Sequence, residues 1–171
     1  LLGWAPAAHA QELDLSVTPE VAPTAAPVDY QLPYPGVLPG HFLYSLKDLR
    51  DSLMSVLISS PVKKAEFDIL QSDKRYQAAF LLMERDKGKV DVAKQTLSKA
   101  QDYFAEAIGK TIAAKKEGMN ASDLAKKLTL SQGKHKEVLM AIQDKVGKDG
   151  KKQFADIEKR EIEFSKKVKQ L

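Results

Sequence analysis

Two histidines beyond the first few residues, His41 and His135, are the side chains whose type alone could carry acid–base or metal chemistry. Neither belongs to an H-x-x-x-H or H-E-x-x-H spacing, so the chain offers no zinc signature. It also has no cysteine, which excludes disulfides, thiolate ligands and thiol nucleophiles together. Carboxylates are numerous but interleaved with cations. Glu158, Glu161 and Glu163 lie beside Lys159, Arg160 and Lys166, a pattern of surface ion pairs worth roughly a few tenths of a kcal/mol each. Glu161 is the unusual one, because it interrupts an apolar stripe; a place at the edge of a bundle, reaching solvent, is the expectation for it. There is no G-x-S-x-G, no phosphate-binding glycine loop and no S-x-x-K. The reading is of a chain without catalytic residues, and none of its residues is assigned to a cofactor or a metal.

The elements that would position any site are helical. Proline nearly vanishes after Tyr44, Pro61 being the one exception, and apolar residues take helical spacing. A first helix is expected from about Ser45 to Ile58, with Ser45 as N-cap and Asp48 completing an imperfect capping box. Its stripe is Leu46, Leu49, Leu53, Val56 and Leu57. Ser60-Pro61 restarts the chain, serine as N-cap and proline at the first helical position, for a helix to about Arg85. Gly88 is expected to stop it in a left-handed conformation. A third helix runs from Val90 to about Lys116 and ends at Gly118, with Lys115 and Lys116 suiting its negative end. The fourth spans about Asp123 to Val146, capped by Asn120 or Ser122, with Gly133 a weak point. The fifth, Lys151 to Leu171, repeats Phe154, Ile157, Phe164, Val168 and Leu171 at heptad-like spacing. Short turns between long helices favour antiparallel neighbours. The expected fold is therefore all-α, an elongated antiparallel bundle or set of stacked hairpins of about five helices over residues 41–171.

Two other segments precede it. Residues 1–10 end in Ala8-His9-Ala10 after Leu1, Leu2 and Trp4, which reads as the remnant of a signal peptide with cleavage before Gln11. Residues 11–40 carry a proline every few positions, which disfavours helix and sheet and suits an extended linker whose last part, Leu32 to Gly40, docks on the helices. The expected location is extracytoplasmic: periplasmic, cell-surface or secreted. Membrane anchoring is expected only if the N-terminal segment stays uncleaved.

Charge is uneven. The net charge is −4 over residues 11–40, +1 over 41–109 and +7 over 110–171. The basic C-terminal third suits an anionic envelope surface, with Lys126, Lys127, Lys151, Lys152, Lys166 and Lys167 as its contacts; nucleic acid is not the expected partner. Tyr34, Phe42 and Tyr44, at the entry to the first helix, could line a groove for a protein partner. Lys47 and Arg50 share a helical face and are expected to pair with carboxylates of a neighbouring helix.

Two resemblances refine this. Leu128-Thr129-Leu130-Ser131-Gln132 contains L-T-x-x-Q, which resembles the signature of small periplasmic helical chaperones and stress adaptors of the Spy and CpxP type. In that family the motif is paired and its threonine caps a helix; here it occurs once, inside an expected helix. The longer resemblance is carried by Leu38-Pro39-Gly40, by Leu43-Tyr44-Ser45-Leu46-Lys47-Asp48-Leu49-Arg50-Asp51, by Ser60-Pro61-Val62-Lys63-Lys64-Ala65-Glu66 and by Asp73-Lys74-Arg75. This is similar to an uncharacterised family of bacterial exported helical domains showing L-Y-P-L-K-x-x-R, a helix, a proline-initiated helix and an A-E-R-R segment. Ser45 replaces the usual proline, and Asp73-Lys74-Arg75 stands in the last motif. The match spans roughly residues 33–110. It implies an extracytoplasmic helical domain and carries over no catalytic or ligand role.

The functional expectation is a non-enzymatic helical interaction or structural protein of the bacterial envelope, binding a protein partner or an anionic surface. The alternative is a periplasmic chaperone or stress-sensing adaptor that binds apolar protein segments.

Overall fold

The computed structural model describes residues 27–171; the expected signal remnant, 1–10, and residues 11–26 of the expected linker lie outside them. Six helices follow: α1 (Tyr44–Leu57), α2 (Pro61–Arg85), α3 (Val90–Lys116), α4 (Ser122–Val146), α5 (Gly150–Gln153) and α6 (Ala155–Val168). The described residues are all-helical, with the helices packed as a bundle.

Local chemistry sets most boundaries. Ser60 accepts from the Lys63 amide and Pro61 opens α2, as the Ser-Pro pair implies. Gly118, at φ 75°, and Gly147, at φ 84°, turn the chain after α3 and α4 in a region that favours glycine. Three expectations need correction. Gly88 does not take a positive φ; α2 stops because Asp86 is extended, and its side chain accepts from the Gly88 amide at 2.9 Å. α1 begins at Tyr44 with Leu43 as N-cap and no side-chain cap, so Ser45 lies inside the helix. The last helix is broken at Phe154, whose buried ring is fixed in the core while the backbone turns between α5 and α6.

α2, α3, α4 and α6 form an up-down-up-down bundle with one apolar cluster at each end. At one end the closing residues of α2 (Ala79, Leu82, Met83) meet the opening of α3 (Ala93, Leu97), the close of α4 (Leu139, Ile142) and the start of α6 (Phe154, Ile157). At the other, Ala65 and Ile69 meet Phe104 and Ile108, Leu124 and Leu128, and Phe164 and Val168. The alanines of α2 and α3 let these two long helices approach closely. Phe154, Ile157, Phe164 and Val168 are thus core residues of this chain. Gly150 packs so tightly on α4 that a Cβ there would collide with the Gln143 carbonyl.

α1 is built the other way round. Its apolar stripe, expected to face the bundle, points to solvent: Leu46, Leu49, Leu53, Val56 and Leu57 are 60–76% exposed. The opposite side faces the bundle, with Asp51 buried and Tyr44 and Ile58 half-buried. Asp51 lies 4.0 Å from the buried Arg75 guanidinium of α2. Lys47 lies over the Tyr44 ring, and Arg50 pairs with Asp51 of its own helix at 2.7 Å.

Candidate functional site

Between the two apolar ends the bundle has a polar waist. Asp73 of α2 is its centre. One carboxylate oxygen accepts from Ser131 and faces His135 Nε2 at 2.8 Å, both on α4; the other accepts from the Tyr30 hydroxyl at 2.6 Å. The His135 ring is stacked on Tyr76, 3.8 Å between centroids, and meets the edge of Phe104. Ser131, His135 and Asp73 are the residue types of a hydrolytic triad, but they are not arranged as one. In a triad the imidazole stands between hydroxyl and carboxylate, using a different nitrogen for each. Here the serine proton goes to Asp73, and Ser131 and Asp73 both face Nε2. All three side chains are buried. His135 and His41 do not share a site: His41 is exposed and stacks on Phe42. Among the described residues no group of three or more His, Cys, Asp and Glu side chains is arranged to hold a metal.

Glu161 is the second polar centre, and the expectation for it is overturned: it is 3% exposed, not an edge residue reaching solvent. Its Oε1 accepts from the Tyr76 hydroxyl and from Gln101 Nε2 at 3.1 Å, while Gln101 also donates to the Ile157 carbonyl. These donors come from α2 and α3, so α6 is tied to both. Burial, then the adjacent Glu161 carboxylate, holds the Tyr76 phenol well above its ordinary pKa. The sequence shows an acidic residue on an apolar stripe; it does not show that two distant helices supply donors for it.

The segment before α1 lies along the bundle from Val28 on. The Val28 amide donates to Glu137, Tyr30 reaches Asp73, and Leu32 packs on the apolar end formed with Phe154. Val28 rests against Gly133, where a Cβ would stand 3.0 Å from its methyl group. Gly133, read from the sequence as a weak point, is a seat for this strap.

The residues expected to bind partners are placed as follows. Tyr34 and Phe42 are exposed, whereas Tyr44 lies on the bundle-facing side of α1. A shallow groove of about 550 Å³ does form beside α1, but Val37, Leu43, Leu46, Leu49 and Leu53 line it rather than those aromatics, with Lys47 and Arg50 at its border. The lysines do not make one patch. Lys126 and Lys127 open α4, near the end of α6 that carries Lys166 and Lys167; Lys151 and Lys152 sit at the opposite end of the antiparallel α4–α6 pair. Lys126 pairs with Asp123, and Lys166 borders a groove of about 360 Å³ between α4 and α6. Thr129 of L-T-x-x-Q is inside α4 and donates to the Ala125 carbonyl, so it caps nothing.

No helix among the described residues is long and apolar enough to cross a membrane. No curated protein and no solved structure matches the chain. A family model described as a domain of unknown function, DUF5667, matches residues 36–149, from the loop before α1 to the turn after α4 and about two thirds of the chain. α6, which fills both ends of the core, follows the matched region. The chain therefore belongs to the DUF5667 family.

Proposed function

We propose that this protein is a non-enzymatic, extracytoplasmic helical module of the bacterial envelope whose working surface is the outward apolar side of α1. The observation that carries the reading is the orientation of that helix. Leaving five aliphatic side chains of one helix in water forfeits roughly 1.5–3 kcal/mol for each that could be fully buried. Monomeric soluble proteins rarely show a contiguous apolar patch above a few hundred Å² unless something covers it. The polar waist supports the non-enzymatic part: Ser131, His135 and Asp73 are turned to one another without triad geometry and are shielded from solvent. The extracytoplasmic part rests on the Ala8-His9-Ala10 pattern. A basic C-terminal third divided between two ends of the bundle gives less support to docking on an anionic surface than α1 gives to a protein partner.

The test is retention from solubilised envelope of the source cell, at low and high salt, by the wild-type chain and by Leu49→Glu/Leu53→Glu. Proteins held at both salts by the wild type and lost by the variant are the expected result. Equal retention by both chains would remove α1 from the function. Retention of lipid or polymer at low salt only would favour the lysines, since exposed charges are screened.

The chaperone reading draws on the same stripe. It requires suppression of aggregation of an unfolded client at low molar ratio, again dependent on Leu49 and Leu53.

A further inference from the structure

The occupant of the α1 face can be named more closely. We infer that α1 pairs with α1 of a second copy of this chain, forming a two-fold helical interface; this rests on the α1 face being the working surface.

The first argument is spacing. Leu46, Leu49, Leu53 and Val56 follow one another at intervals of three, four and three residues within α1. That is the 3.5-residue period of a coiled-coil seam, which keeps one narrow stripe facing another helix over several layers. A helix lying on a lipid surface has no need of so narrow a seam. The second argument is the face on the other side. Tyr44, Asp51 and Ile58, seven residues apart, are turned to the bundle, so the seam points directly away from it and a second bundle would stand clear on the far side.

The third argument is charge. α1 carries two basic and two acidic residues, without the cationic surplus that marks membrane-surface helices. One flank of the seam carries Ser52, small and uncharged. The other is Leu43, Arg50 and Leu57, with Arg50 2.7 Å from the Asp51 carboxylate. Bringing two identical faces together therefore sets no unbalanced charges against each other, as an isologous interface requires. The fourth is size. Leu46, Leu49, Leu53, Val56 and Leu57 are 60–76% exposed along the length of α1, enough apolar surface to form the centre of an interface.

The experiment is sedimentation equilibrium of the full chain over a wide concentration range, beside Leu49→Glu/Leu53→Glu. Since the chain has no cysteine, Leu53→Cys provides a single site for a short bismaleimide, with Lys148→Cys, distant on the bundle, as control. The expected result is a reversible dimer whose dissociation constant rises at least ~100-fold in the glutamate variant, with helix content by circular dichroism unchanged. Inter-chain crosslinking is expected from position 53 and not from 148. A wild-type chain that is monomeric throughout, or a dimer that survives both glutamates, overturns the pairing. So does a monomer that floats with phosphatidylcholine vesicles through α1. Monomeric wild type with α1-dependent envelope retention would leave the wider reading standing with a different partner; if α1 alters neither oligomeric state nor retention, both fall.

Discussion

At the scale of single residues, the waist shows what a few buried polar groups demand. Glu161 is held by donors from two other helices, so removing one of them leaves a buried acceptor short. Tyr76→Phe is expected to cost about 1–3 kcal/mol, read as a lower urea midpoint at unchanged slope, whereas Tyr34→Phe on the exposed strap should stay within about 0.5 kcal/mol. The same phenols should betray themselves on titration. Burial, then the hydrogen bond to Asp73 and its charge, raises Tyr30, and burial with Glu161 raises Tyr76, both above the ordinary 10.0. A raised folded value means that the neutral phenol is favoured in the fold. The associated stability is complete below the unfolded pKa and is lost as pH climbs towards the folded one. Tyr30 and Tyr76 should ionise late by tyrosinate absorbance, and Tyr76→Phe should shorten the late phase. The absence of a late phase while the helix signal is intact would contradict the geometry. Little of this was legible beforehand. Glu161 stood out as an acidic residue on an apolar stripe, but whether it reached water depended on Tyr76 and Gln101, whose arrival beside it is a matter of tertiary packing.

At the scale of elements, the strap over Gly133 is held in part by the Glu137 carboxylate, an acid-sensitive contact. Glu137 is lowered from its ordinary 4.5 by its hydrogen bond with Lys134 and then by the Val28 amide. A depressed folded value means that the contact stabilises above the unfolded pKa and is lost as pH falls through the folded one. Hydrogen exchange at residues 28–32 should therefore accelerate below about pH 4.5 while α2 and α3 remain protected. Glu137→Gln should show the faster exchange already at neutral pH and flatten the acid response. An unchanged pH profile in that variant would mean that Tyr30 and Leu32 alone hold the strap. Helix limits were readable where chemistry is local: Ser60-Pro61 and Gly118 act within a turn of themselves. The strap was less so, because prolines announce an extended segment but not where it lies. The glycine that receives Val28 is distant in sequence and looks, by itself, like a defect in α4.

At the scale of the whole molecule, the bundle and α1 obey different accounts of burial. The bundle has two apolar ends joined by a polar waist, and Phe104 belongs to both, edge-on to His135 and to Phe164. The all-helical bundle followed from apolar period and short turns. The direction in which α1 points did not, because a period states that a helix has an apolar side and leaves open what that side meets. Here the side turned to the bundle carries Asp51, 4.0 Å from Arg75, which also donates to Gln71 and lies over Tyr103. Phe104→Ala should then cost about 3–5 kcal/mol, the loss of a fully buried ring plus the cavity it leaves. Leu53→Ala should cost nearly nothing to a dilute chain, yet should lower the melting temperature measured at high concentration, because mass action stabilises whatever a partner binds. Thermal melts of both variants across a wide dilution series separate the cases. A Leu53→Ala penalty independent of concentration would mean that Leu53 is buried within its own chain and that the outward α1 is not the form in solution. A penalty that grows with concentration, beside a constant one for Phe104→Ala, would place the two side chains on opposite sides of the same principle, one buried on folding and the other on association.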